Sequence, residues 1–202
     1  MKHLSFADAE SKEIIERGDI LAFPTETVFG LGIRWDDENA YEKLCTVKHR
    51  RFDKPISLMV GRNFPLDSIA CLDEGTMRVV DRLMPGPLTL LLKAKNVPYE
   101  ADLGTTTIGV RIPASEELLS FLETFDHPLL VTSANISGEK PAYDSDECSE
   151  IFSSSPLIGG IVEGKCVSDI PSTVCLMRDG NIQIVREGQV TLDQIKEAYY
   201  GR

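Results

Sequence analysis

Short apolar runs alternate along this chain with stretches whose apolar residues recur at helical spacing, and no long linker or low-complexity tract interrupts them. Such alternation leaves little besides a layered α/β fold, in which a sheet buries its faces under helices. A helix is expected over Asp8 to Arg17, with Ile14 and Ile15 inward and Gly18 ending it. A buried strand follows at Ile20 to Phe23, stopped by Pro24. Ala40, Leu44 and Val47 recur behind Asp36 and Asp37, predicting a helix that delivers Lys48 at its end. Ile56 to Val60 reads as a strand. Met77, Val80 and Met84 mark a helix closed by Pro85-Gly-Pro87. Leu88 to Leu92 and Ile108 to Ile112 have strand character. A helix from Ser115 carries Leu118, Leu122 and Phe125. Leu129 to Val131 is a strand that runs into Thr132-Ser-Ala-Asn135. Ser172 to Met177 and Ile182 to Val185 flank a hairpin turn at Asp179-Gly180. Thr191 and Gln194 form a capping box for a last helix, with Leu192, Ile195 and Tyr199 inward.

With 202 residues, 42% of them hydrophobic and 26% charged, the chain has enough material for one domain over residues 1–202 with a substantial core. No internal repeat of about 20 to 50 residues is evident. No apolar run approaches the roughly 20 residues of a membrane span, and the N-terminus lacks the apolar core of a signal peptide, so a cytoplasmic location is expected. The five cysteines are widely spaced without a Cys-x-x-Cys pair, which favours reduced, mostly buried thiols over disulfides or zinc. Three histidines leave no metal box and no Ser-His-Asp arrangement. A formal net charge of -11 disfavours broad nucleic-acid binding, which depends on clustered Lys and Arg.

Against that acidity, Lys48, Arg50, Arg51 and Lys54 place four cations within seven positions. They are either a solvated helix end, where cations favour the negative pole, or a site that neutralises phosphate. Thr25, Glu26 and Thr27 after a buried strand read as a helix N-cap or as ligand contacts. Arg111 interrupts an apolar strand, so alternation gives it a face of its own: solvent in the bland case, a ligand in the other. Ser133 and Asn135 are either turn formers before Gly138 or polar groups at a strand end, where α/β sheets place ligands.

Taken in order, Phe23-Pro-Thr-Glu-Thr-Val-Phe-Gly-Leu-Gly32, Lys48-x-Arg50 with Lys54-Pro55, Pro85-Gly-Pro-Leu-Thr89, Gly109-Val-Arg-Ile-Pro113, Ser133-Ala-Asn-Ile-Ser-Gly138, Pro171-Ser-Thr-Val174 and Arg186-x-Gly188 resemble the YrdC family over nearly the whole chain. These are the threonylcarbamoyl-adenylate synthases, which serve the threonylcarbamoyl modification of the tRNA adenosine beside the anticodon. The resemblance implies an α/β fold with a twisted mixed parallel/antiparallel sheet flanked by helices, and a deep open cavity for ATP with Mg2+, L-threonine and bicarbonate. It implies that Lys48 and Arg50 serve catalysis and that Lys48, Arg50, Lys54, Thr107, Ser133, Asn135, Ala142 and Arg186 bind ATP. Thr27, Met59, Arg111, Val131 and Ser172 would hold threonine. The metal would arrive with ATP rather than on protein ligands, and the product would pass to a downstream tRNA threonylcarbamoyl-transferase machinery. Weak tRNA binding at the basic segment stays open.

The sequence departs from the family pattern at His49 and Arg51, where many members have Gly and Pro, at Lys54, where many have Asn, and at Met59, where many have a threonine-contacting His. Ending soon after Arg186, it reads as the short form without the extra C-terminal domain of longer relatives. Two rival readings stand beside the synthase: a paralogue with another carbamoylation role, fed by carbamoyl phosphate, and a noncatalytic RNA-binding or ribosome-assembly factor.

Overall fold

The structure is a computed structural model and describes residues 1–49, 57–95, 107–178 and 180–201. In chain order its strands are β1 (His3–Leu4), β2 (Ile20–Phe23), β3 (Gly30–Arg34), β4 (Ser57–Met59), β5 (Leu88–Lys93), β6 (Thr107–Arg111), β7 (Leu129–Ser133), β8 (Ile158–Val162), β9 (Thr173–Arg178) and β10 (Asn181–Arg186). The helices are α1 (Ala9–Glu16), α2 (Glu38–Val47), α3 (Glu74–Leu83), α4 (Glu116–Leu122), α5 (Ser145–Ile151) and α6 (Leu192–Tyr200).

Among the described residues all ten strands join one sheet in the order β1-β8-β2-β3-β7-β4-β6-β5-β9-β10. It is mixed: β8 runs parallel to β1 and β2, β4 to β6 and β5 to β9, whereas β2–β3, β3–β7, β4–β7, β5–β6 and β9–β10 are antiparallel. Strand alternation sends side chains to two cores. From β2, Ile20 and Ala22 enter the larger core, with Leu44 of α2, Val79 of α3, Cys148 of α5 and Ile195 of α6. Leu21 and Phe23 enter a smaller one, with Ile14 and Ile15 of α1 and Leu118, Phe121 and Leu122 of α4. Burial on both faces explains why β2 is apolar throughout rather than alternating.

The helix ends follow local chemistry. Asp37, Asp73, Ser115 and Asp144 each accept the N–H of the residue three positions on, capping α2, α3, α4 and α5. Thr191 and Gln194 form the expected capping box of α6. Asp8, by contrast, turns back to accept from the Ser5 backbone and hydroxyl.

Two expectations need correction. The helix expected from Ser115 to carry Phe125 ends at Leu122 with Glu123 as its C-cap, so Phe125 lies beyond it and packs into the smaller core from the following turn. No helix follows Thr25, Glu26 and Thr27; they lie in the connection between β2 and β3, and the N-cap reading fails. Among the described residues no helix is long and apolar enough to cross a membrane.

Candidate functional site

On β5, Leu88, Leu90 and Leu92 belong to the larger core, while Thr89 and Leu91 face the other way. The same division holds on β6, where Ile108 and Val110 pack into that core and Arg111 opposes them beside Met59 of β4. On β9, Cys175 and Met177 are core residues and Val174 is not. The faces left over line a cavity of about 600 Å3, together with the Ser133–Asn135 strand end and the Pro171–Ser172 segment. Arg111 is therefore neither solvent-facing nor packed in apolar surroundings. It is 5% exposed and belongs to the cavity wall.

The connection after β2 is built to hold that arginine. Thr25 Oγ1 accepts the Thr27 backbone N–H at 3.0 Å and donates to the Val28 carbonyl at 2.8 Å. Since that uses its one hydrogen, the 3.0 Å contact between the two hydroxyls runs from Thr27 to Thr25. Thr27 Oγ1 accepts in turn from Arg111 Nη2 at 2.8 Å, and Glu26 Oε1 accepts from the same nitrogen at 2.7 Å. The ion pair is buried, with side chains 6% and 12% exposed.

A second cluster closes the end of β7. Lys48, the C-cap of α2 and 2% exposed, donates to the Ser133 carbonyl, to the Asn135 carbonyl at 2.9 Å and to Asn135 Oδ1 at 3.0 Å. Asn135 Oδ1 also accepts from Ser133 Oγ at 2.6 Å, and its amide donates to the Ile136 and Glu139 carbonyls at 2.8 and 2.7 Å. Each of the three ammonium hydrogens thus meets an acceptor, and the loop is drawn around the lysine head. The next residue, His49, has φ +49, a left-handed conformation that glycine adopts without cost.

On the opposite wall, Arg186 Nε and Nη2 donate to the Ser172 carbonyl at 3.1 and 2.8 Å, and Nη2 reaches Ser172 Oγ at 3.1 Å. Thr89 Oγ1 lies 2.9 Å from the same hydroxyl. Desolvation, then the like charge of Arg111, lowers the Arg186 pKa from its usual value. Gly188 explains the spacing of the Arg186-x-Gly188 motif, because a Cβ there would meet the Pro171 carbonyl at 2.6 Å and the Ser172 carbon at 2.7 Å.

Lys48, Ser133, Asn135, Arg186, Met59, Arg111, Val131 and Ser172 all line this cavity. Thr27, fully buried, stands behind Arg111 rather than on the wall. Ala142 is also enclosed, and its backbone links the Phe29 N–H to Ala134. Thr107, half-buried at the start of β6, is not among the lining residues, and Arg50 and Lys54 lie outside the described residues, as does Arg51. Thr89, present in a quoted motif, has no binding role among the sequence expectations, and Glu26, expected as a helix cap or a ligand contact, holds Arg111 instead. Among the described residues the wall carries Lys48, Arg111 and Arg186 against one carboxylate, Glu139, so it suits an anionic ligand within an acidic protein. Among the described residues no group of three His, Cys, Asp or Glu could hold a metal.

Comparison with known proteins agrees with this construction. Residues 13–188 match the Sua5/YciO/YrdC family, described as telomere recombination. The threonylcarbamoyl-AMP synthase of Pyrococcus abyssi is 33% identical over 186 residues, covering 91% of this chain and 54% of that protein. The threonylcarbamoyl-AMP synthase of Pseudoalteromonas atlantica is 33% identical over 147 residues, covering 70% of this chain and 78% of that one. The crystal structure of P. abyssi Sua5 complexed with L-threonine superposes with a TM-score of 0.86 at 31% identity, over 94% of this chain and 56% of the other. The chain belongs to the Sua5/YciO/YrdC family, and it spans about half the length of the P. abyssi relative.

Proposed function

We infer that this chain is a threonylcarbamoyl-AMP synthase, forming threonylcarbamoyl-AMP and pyrophosphate from L-threonine, bicarbonate and ATP. The observation that carries this reading is Arg111: a buried guanidinium on the wall of a cationic cavity, steadied by Thr27 and Glu26. Relatives named for that activity support it, and one relative's structure was determined with L-threonine.

Arg111 takes the threonine carboxylate, which a guanidinium fork matches in charge and shape. Val131, Met59 and Ser172 enclose the rest of the amino acid. Met59 supplies an apolar wall and no donor, so Ser172 and backbone groups provide the polar contacts. The nucleotide lies toward the Ser133–Asn135 end and Arg186, with Arg50 and Lys54 adding charge to its phosphates. The threonine amine and bicarbonate condense to a carbamate with loss of water, and a carbamate oxygen attacks the α-phosphorus as pyrophosphate leaves. No protein nucleophile takes part, so positioning and charge stabilisation carry the step. The donor set of the cavity wall, with one carboxylate among the described residues, fits a Mg2+ carried on the nucleotide phosphates, where it would neutralise the leaving pyrophosphate. The product would then serve a transferase acting on tRNA, with any tRNA contact here weak and local.

Pyrophosphate release tests this proposal. Release that requires threonine and bicarbonate together supports it; release indifferent to either sinks it.

A further inference from the structure

We propose that Glu26 is a positioning residue for the amino-acid carboxylate, acting through Arg111. The proposal rests on the reading of the cavity as a threonine-dependent site and adds to it a residue that does not line the cavity.

The geometry of the pair carries the inference. Both hydrogens of Arg111 Nη2 are directed inward, one to Glu26 Oε1 at 2.7 Å and one to Thr27 Oγ1 at 2.8 Å. Arg111 Nε and Glu26 Oε2 are buried without a hydrogen-bond partner among the described residues. A pairing that served only to neutralise a buried arginine would be expected to settle fork on fork, satisfying two donors and two oxygens at once. Here it is offset by one atom and leaves one donor and one acceptor unmatched, at a desolvation cost. The offset turns the guanidinium about its Nη2 corner, and among the described residues Nη2 is the nitrogen seen bonded to protein side chains. Thr27, Thr25 and the Val28 carbonyl continue the chain of donors into the backbone, so the orientation is fixed from behind.

Charge gives Glu26 a second effect. Arg111 and Arg186 repel one another across the cavity. Glu26 contacts Arg111 and offsets its charge, so the two guanidinium groups keep one net positive charge, which a single ligand carboxylate balances. Without it, the two guanidinium groups would attract small anions indiscriminately.

The test is calorimetry of the whole chain, with L-threonine and ATP as separate probes, on wild type, Glu26→Gln and Glu26→Asp. Glu26→Gln is expected to weaken threonine binding by about tenfold or more, the worth of one charge-assisted hydrogen bond, with ATP binding within about twofold. Chloride should compete with threonine more strongly in this variant. Glu26→Asp keeps the charge but withdraws the oxygen by one methylene, and should show the same split with weaker chloride competition. It carries the test if Glu26→Gln does not fold. An unchanged threonine affinity, or equal losses for threonine and ATP, overturns the role of Glu26. Wild-type protein that binds threonine but releases no pyrophosphate overturns the reaction instead and leaves the assignment of Glu26 to be judged by the binding data.

Discussion

Arg111 is the residue on which the site turns, because its guanidinium is the buried cation presented from the middle of the sheet. Arg111→Ala should raise the threonine requirement by roughly 10- to 100-fold, the loss of charge-assisted hydrogen bonds, and raise the ATP requirement far less. Steady-state kinetics with each substrate varied would check this, and equal changes would contradict it. His49 offers a stability prediction: with φ +49 it carries a left-handed cost that glycine avoids, so His49→Gly should stabilise the chain by about 0.5–1 kcal/mol in urea unfolding. Arg111 was legible as exceptional from its apolar neighbours alone, but its choice between solvent and cavity was not. That choice depends on which face of β6 is covered, a tertiary fact. Glu26 was less legible still, since a Thr-Glu-Thr run after a strand also suits a helix start.

Among the elements, α3 and α6 are joined by a contact that couples capping to docking. Asp73 accepts the Thr76 N–H at 2.7 Å and the Tyr199 hydroxyl at 2.8 Å. Desolvation pushes the Asp73 carboxyl up, but these hydrogen bonds outweigh it and hold the pKa below the ordinary 3.8. A folded-state value below the unfolded one means a contribution that is present above about pH 3.8 and lost as pH falls through the folded value. Thermal melts should therefore show wild type more stable than Asp73→Asn at neutral pH, with the gap closing in acid; a gap that persists at pH 2 would contradict this. Gly188 ties β10 to the cavity wall. Gly188→Ala should displace the Pro171–Thr173 backbone and reduce activity more than an ordinary surface substitution would, as measured by pyrophosphate release. The strands with continuous or alternating apolar runs, β2, β4, β5, β6, β7, β9 and β10, and the helices α1, α2, α3, α4 and α6 were readable from the sequence. Gly-rich β3 and β8 were not, because Gly30, Gly32, Gly159 and Gly160 interrupt their patterns where side chains of Phe23, Ile14 and Leu4 occupy the space. The helix α5, whose buried side is Cys148 within an otherwise polar stretch, gave little periodicity to read.

At the scale of the molecule, the mixed sheet explains how a chain of net charge -11 keeps a cationic cavity. One face of β5, β6 and β9 is sealed by the larger core, and the opposite face lies where α1 and α4 do not reach, so polar residues on alternate positions converge without disturbing the packing. The central claim is that this convergence binds threonine and ATP for adenylate formation. The most direct test is rapidly quenched mass spectrometry of the small molecules formed from ATP, Mg2+, L-threonine and bicarbonate, with a parallel reaction supplied with carbamoyl phosphate. The account predicts threonylcarbamoyl-AMP only when threonine and bicarbonate are both present, and its loss with Arg111→Ala at subsaturating threonine. A carbamoyl adenylate made from carbamoyl phosphate without threonine, or no adenylate from either donor, would contradict it.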